Sequence, residues 1–234
     1  MTPTLMIVGC GGVGSWLVQA LKYTAARQNL RYLLLDGDLV EKRNLERQLF
    51  RIEDIGVNKA EALQKTLGAR AIALPAYFDL SRQEDVIGVV CCVDNRAARR
   101  DSIAWVDCRT PTDGDGDRPF LIVAANERED AEAYIYLPRW RGDARLDPRL
   151  YFPNAFEPGR TDRDPRRAGM GCAQTADIDR EQTALANIQA AVLALKLLDL
   201  WIFNRDPNLR DEDLYYYYGC NAFRFQHRKP GDSQ

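Results

Sequence analysis

The run Gly9-Cys10-Gly11-Gly12-Val13-Gly14 constrains this chain more than any other feature. It follows a short apolar segment, Leu5-Met6-Ile7-Val8, and opens a helical pattern from Ser15 to Ala26. A glycine-rich turn between a strand and a helix permits a tight reversal and lets main-chain N–H groups approach an anion. It also sets the positive end of the helix beside that anion. A second apolar run, Arg31-Tyr32-Leu33-Leu34-Leu35, closes on Asp36, where a carboxylate can accept hydrogen bonds from a ribose. These features predict a nucleotide-binding strand–turn–helix unit but do not choose a reaction. An NAD-dependent oxidoreductase would show the same two.

The pattern continues with a helix over 58–68, a strand over 70–74, a short helix start over 81–85 and a strand over 87–93. Asn95 to Val106 is helical in pattern, and Phe120-Leu121-Ile122-Val123-Ala124 is the next strand. Such alternation predicts an α/β fold: a Rossmann-like, doubly wound and mostly parallel sheet, whose continuous apolar strands are buried on both faces. Tyr134 to Leu137 predicts a further strand, antiparallel in sense. From 138 to 171, Pro138, Pro148, Pro153, Pro158 and Pro165 interrupt an Arg- and Asp-rich stretch with no helix or strand period, which predicts a long loop. A long helix follows over 180–204, and Asp213 to Phe225, with Tyr215–Tyr218, reads as a late strand or hairpin. The expectation is one domain over 1–234: a nucleotide-binding part over 1–137, a crossover loop over 138–171, and a C-terminal helix and strands over 172–234.

Several classes of function lose support here. A net charge of −2 does not suggest nucleic acid or an anionic membrane surface as partner. The apolar stretch around 185–203 is interrupted by Asn187, Gln189, Lys196 and Asp199, so it predicts a packed helix and no membrane span. The N-terminus lacks the basic start, apolar run and cleavage site of a signal peptide, and a cytoplasmic protein is expected. The six cysteines form no C-x-x-C pair and His227 is the single histidine, so no zinc site is expected. Asp113-Gly114-Asp115-Gly116-Asp117 resembles a calcium loop, but Arg118 stands where such loops need glycine, and a solvated turn is expected.

After Asp36 the chain reads Gly37-Asp38-Leu39-Val40-Glu41-Lys42-Arg43-Asn44-Leu45-Glu46-Arg47-Gln48, then Asp54-Ile55-Gly56-Val57-Asn58-Lys59-Ala60. Asp94-Asn95 follows, with Arg99 four residues further on. These four elements resemble the ThiF/MoeB/ubiquitin-activating superfamily, whose pattern is G-x-G-G-x-G, D-x-D-x-V-x-x-x-N-L-x-R-Q, G-x-x-K and D-N-x-x-x-R. The resemblance implies an ATP-dependent adenylyltransferase that activates the C-terminal carboxylate of a small ubiquitin-like or sulfur-carrier protein ending in glycine. It implies that Arg47 and Lys59 meet the ATP phosphates, that Asp94 coordinates Mg²⁺, and that Asp36 holds the ribose. Gly9, Gly11, Gly12 and Gly14 would form the nucleotide turn, and Asn44 would support the site through amide hydrogen bonds. Asp38, Gln48, Asn95 and Arg99 join the cofactor-binding set, each with a cap or loop-fixing role as the alternative reading. Charges of this kind suit a phosphoryl-type transition state, which needs positioning and cations more than covalent help.

The resemblance extends to Gly169-Met170-Gly171-Cys172-Ala173-Gln174-Thr175, ahead of the long helix. In relatives this loop crosses the bound protein tail, and some carry a reactive cysteine there, which forms a thioester or persulfide adduct. Arg160, Arg163, Arg166 and Arg167 are near in sequence and would favour a thiolate. A structural junction is the alternative reading of Cys172. Three departures from the family are expected: no zinc-binding cysteine pairs, no inserted catalytic-cysteine domain, and no N-terminal segment donating an arginine to a neighbouring subunit. The last leads to the expectation of a homodimer, or a heterodimer with a paralogue. The rival expectations are a non-catalytic scaffold subunit and, more weakly, the NAD-dependent oxidoreductase.

Overall fold

The computed structural model describes residues 2–24, 29–82, 84–109, 119–126, 130–157, 183–203, 215–219 and 224–226. The chain runs β1 (Thr4–Val8), α1 (Gly12–Thr24), β2 (Arg31–Leu35), α2 (Lys59–Leu67), β3 (Ala71–Leu74), β4 (Gly88–Cys91) and α3 (Arg96–Asp107). It continues through β5 (Phe120–Asn126), β6 (Asp130–Tyr136), α4 (Pro148–Tyr151), α5 (Pro153–Phe156), α6 (Ala184–Leu198), β7 (Tyr215–Gly219) and β8 (Arg224–Gln226).

Among the described residues the strands form one eight-stranded sheet in the order β3-β2-β1-β4-β5-β6-β7-β8. The first five strands of that order are parallel, and β6, β7 and β8 are added antiparallel. Central strands need apolar side chains on both faces. Leu5, Met6, Ile7, Val89, Val90, Leu121 and Ile122 are accordingly all fully buried. After β1 the chain moves outward to β2 and β3, then returns across β1 to β4. The strand order therefore reverses between β1 and β4, and the carboxyl ends of these two strands flank a crevice.

Helices α1 and α2 pack together, and α6 packs against α1, β5 and β6. Small residues make the close approach of α6 possible, since Ala186, Ala190, Ala191 and Ala194 lie on its buried side. The stretch 184–203 is long and apolar enough to cross a membrane by length and composition, and half of it is buried within the fold. Helix α3 covers β4 and β5 and carries α5; right-handed crossovers put it on the sheet face opposite α1.

Three local expectations are corrected. No helix forms over the described part of 81–85, because Asp79 Oδ1 accepts the Ser81 N–H at 2.8 Å and closes a turn instead. The described part of the loop expected over 138–171, residues 138–157, is not patternless: Pro138–Trp140 forms a 3-10 turn, and α4 and α5 each start on a proline, while 158–171 lie outside the described residues. Proline suits a first helical position, where its missing N–H has no partner to lose. Asp147 caps α4 and, with Asp107, brackets Arg149 at 2.7 and 2.6 Å, which ties this segment to α3. Strand β6 begins at Asp130, four residues before Tyr134, paired along its length with β5. The late hairpin forms as expected, as β7 and β8.

Candidate active site

An open cleft lies at the carboxyl ends of β1, β2 and β4, where the strand order reverses. Gly9, Gly11, Gly12, Asp36, Asp38, Asn44, Arg47, Gln48, Lys59, Asp94, Asn95 and Arg99 all line it. Every candidate from the sequence is therefore in one place, with two exceptions. Gly14 sits behind the turn, and Cys172 lies outside the described residues.

The glycines of the turn have separate jobs. Gly9 has φ +89°, a conformation that a side chain would strain, and its N–H is held by Leu35 O at 2.9 Å. A Cβ on Gly14 would run into the carbonyl oxygen of Gly9, and one on Gly12 into the Asn187 carboxamide. A Cβ on Gly11 would meet only Gln48, at 3.8 Å or more. Gly11 is thus the position left open toward a ligand.

Asp36 closes β2 and ties this turn to the next loop. Its Oδ2 accepts the Cys10 N–H at 2.7 Å and its Oδ1 the Asp38 N–H at 2.8 Å. Each carboxylate oxygen keeps a second lone pair for a hydroxyl donor. Burial pushes the Asp36 carboxyl above its ordinary value, and the Lys59 charge pulls against that rise. Lys59 is itself buried and pairs with Asp38 Oδ2 at 3.0 Å. Tyr77 donates to the other Asp38 oxygen at 2.6 Å. Asn58 caps α2 through its Oδ1, while its Nδ2 donates to the Asp36 and Asp38 carbonyls at 2.9 and 3.1 Å. This staples the loop 36–38 to the helix that presents Lys59.

The segment 41–50 carries the second cation. Asn44 is buried, and its side chain accepts the Glu41 N–H at 2.9 Å, closing the 3-10 turn Lys42–Glu46. Its carbonyl accepts the N–H groups of Arg47 and Gln48, so the amide support expected of Asn44 takes the form of a folded turn. Arg47 is held in turn at its own carbonyl, by Trp16 Nε1 at 3.4 Å and Asn187 Nδ2 at 3.2 Å. Gln48 is buried against the turn, and its Oε1 has no partner among the described residues.

At the third edge, Asp94 is exposed at the end of β4. Asn95 is the N-cap of α3, accepting from Ala97 N at 2.8 Å and Ala98 N at 3.4 Å. Arg99 Nε donates to the Val93 carbonyl at 3.2 Å and so braces the loop that bears Asp94. Asn95 therefore has the cap role and lines the cleft as well. No cluster of three or more metal-ligating side chains exists among the described residues. A Mg²⁺ ion that takes most of its oxygens from nucleotide and water needs only one or two carboxylates, so an exposed Asp94 fits that mode.

Four residues of this machinery are not singled out by the motifs: Trp16, Asn58, Tyr77 and Asn187. Asn58 lay inside a recognised string, immediately before Lys59, and a helix-start rule would have found it. Asn187 stood out as an interruption of an apolar helix, with no indication of what it faced.

A glycine turn at a strand-order reversal, a half-buried carboxylate closing the second strand, and two cations sharing one cleft are the marks of an α/β nucleotide site. Residues 3–105 match the ThiF family model. That segment, less than half of the chain, carries the similarity to the ThiF/MoeB/ubiquitin-activating superfamily. The NEDD8-activating enzyme E1 catalytic subunit of Arabidopsis thaliana is 39% identical over 82 residues, which is 35% of this chain and 17% of the relative. The adenylyltransferase and sulfurtransferase MOCS3 of Xenopus laevis is 33% identical over 108 residues, 41% of this chain and 23% of the relative. The matched region is thus a minor part of each curated relative. In fold, E. coli MccB superposes with a TM-score of 0.69 at 19% identity, covering 99% of this chain and 63% of MccB. MccB solved with ATP gives 0.65 at 18% identity, covering 99% and 65%. These solved structures share the architecture; the named relatives place adenylyltransferase activity in the superfamily.

Proposed function

We propose that this protein is an ATP-dependent adenylyltransferase that activates the C-terminal carboxylate of a small ubiquitin-like or sulfur-carrier protein. One observation carries the reading: Arg47, Lys59 and Asp94, drawn from three separate sequence elements, line a single cleft with Gly11 and Asp36. Hydride transfer has no use for such a set, and a scaffold subunit would have no need to keep it. Asp36 accepts from the ribose hydroxyls. The phosphates lie along the Gly11 turn, where main-chain N–H groups and the α1 N-terminus favour negative charge. Arg47 and Lys59 stabilise charge that grows on the phosphates in the transition state. Asp94 would hold Mg²⁺, which, when bound, neutralises phosphate oxygens. A carboxylate oxygen of the carrier forms the new bond to the α-phosphorus, the bond to the bridging oxygen of the leaving group breaks, and pyrophosphate departs with its electrons. No acid or base is needed, since both carboxylate and pyrophosphate react as anions.

The reading extends to a homodimer or a heterodimer with a paralogue, and to Cys172 as the thiol whose thiolate attacks the acyl-adenylate, forming a thioester as the acyl–phosphate bond breaks and AMP leaves. The test is ATP–pyrophosphate exchange with candidate carriers encoded beside this gene. Exchange should require Mg²⁺, and Asp94→Ala and Arg47→Ala should abolish it. Cys172→Ser should keep exchange within a few-fold of wild type and lose any reducible adduct with the carrier. Equal MgATP affinity by calorimetry in wild type, Asp94→Ala and Arg47→Ala would overturn the site assignment.

A further inference from the structure

We infer that Asn187, together with Trp16, is a positioning residue that sets where Arg47 stands in the cleft, an inference that rests on the nucleotide reading above. Helix α6 buries alanine and leucine around Asn187, which has no solvent exposure at all. A carboxamide is a poor choice for such a place unless it is hydrogen-bonded. Asn187 Nδ2 donates to the Arg47 carbonyl across 140 residues of sequence, at 3.2 Å. Trp16 Nε1, from α1, reaches the same carbonyl at 3.4 Å. Two residues further on, Leu49 N donates to Ser15 Oγ at 3.1 Å, and Ser15 is also fully buried. Two helices therefore grip the main chain at 47–49, while Asn44 grips the Arg47 N–H from the other side at 3.2 Å.

The other end of the Asn187 carboxamide has no partner among the described residues and rests on Gly12. The same side chain thus touches both the glycine turn and the backbone of the cation that serves it. A long guanidinium side chain on an irregular surface segment would otherwise lose much freedom on meeting a phosphate. Fixing its Cα beforehand lowers that cost and keeps the charge at a set distance from the turn. Asn187 does not meet the ligand in this scheme; it acts through Arg47.

A double-mutant cycle read by calorimetry tests this, with MgATP and adenosine as probes on wild type, Asn187→Leu, Arg47→Ala and the double variant. Leucine keeps the volume and removes the donor. Asn187→Leu should weaken MgATP by about fivefold, the worth of one intramolecular hydrogen bond, and leave adenosine within about twofold. In the Arg47→Ala background the same change should cost MgATP nothing further. A full and equal loss in that background overturns the inference and leaves the nucleotide reading standing, as does an equal loss of adenosine affinity. A wild type that binds no MgATP overturns both. Should Asn187→Leu not fold, Trp16→Phe removes the other donor to the same carbonyl and enters the cycle with the same readings.

Discussion

Gly11→Ala and Gly14→Ala should separate binding from folding within one six-residue turn. At position 14 a Cβ collides with the Gly9 carbonyl oxygen and comes within 2.9 Å of the Gly9 carbonyl carbon. Both obstacles are main chain, so no rotamer change relieves them, and α1 must lift from β1. Overpacking of this kind costs about 1–3 kcal/mol, with a rigid backbone obstacle toward the upper end. Alanine recovers up to about 1 kcal/mol, because glycine is the poorer helix former. The net loss is about 2 kcal/mol, which for a chain of this size lowers the melting temperature by about 4–8 °C. At position 11 the nearest atoms are the Gln48 amide at 3.8 and 3.9 Å, an ordinary contact. Gly11→Ala should melt within about 1 °C of wild type, since an uncrowded surface change shifts stability little. The methyl would nonetheless stand between the turn and a bound phosphate, and MgATP affinity should drop at least about tenfold, a value set by loss of more than one backbone contact. Urea unfolding and calorimetry on the two variants provide the comparison. A Gly14→Ala protein as stable as wild type, or a Gly11→Ala protein that binds MgATP normally, would refute this division of labour.

Three further outcomes are expected. Lys59→Ala leaves Asp38 nearly buried beside Tyr77 without its cation, so it should cost about 3 kcal/mol of stability as well as MgATP binding; urea unfolding unchanged from wild type would contradict the pairing. Burial holds the Asp36 carboxyl above its ordinary 3.8 in the folded protein. The charged acceptor is complete above that raised value and lost as pH falls through it, so adenosine affinity should decline with a midpoint above 3.8, and a midpoint at or below 3.8 by calorimetric titration would count against it. Iodoacetamide at pH 7 should label exposed Cys108 well before Cys10, Cys91 and Cys92, which are buried and whose thiols burial pushes upward; early peptide-mass labelling of any of those three would show an open core.

The strand ends were legible because each recognised string begins where an apolar run stops. Val8, Leu35 and Cys91 end β1, β2 and β4, and Gly9, Asp36 and Asp94 stand at or just beyond those ends. Parallel strands bring such positions together at one edge of the sheet, so motifs far apart in sequence converge without further information. Residue roles were less legible. By pattern the glycines of the turn look alike; in the fold Gly11 is left open, whereas Gly14 and Gly12 answer to packing partners that no local pattern reveals. The resemblance implies that Lys59 meets phosphate, and the fold adds that Lys59 already pairs with Asp38. Tyr77 reaches Asp38 across 39 residues, and contacts of that separation leave no periodicity to find. The stretch 138–157 misled because Pro148 and Pro153, a residue type that breaks helices internally, here begin them.

Residues 3–105 carry the family match and the four strings that line the cleft, yet they do not make it alone. Ala124, Ala125 and Asn126 of β5 line it as well. Strand β5 and helix α1 are in turn covered by α6, where Ala190, Leu193, Ala194 and Leu197 are buried. Without that helix, apolar faces of β5, β6 and α1 would stand open to water, at about 25 cal/mol for each Å² exposed. The same helix supplies Asn187, so one element both closes the core and reaches the carbonyl of Arg47. Stability and site geometry are joined at this point: whatever shifts α6 by a fraction of a hydrogen-bond length also shifts the arginine. The nucleotide motif is thus local in sequence, while the rigidity it needs comes from the far end of the chain.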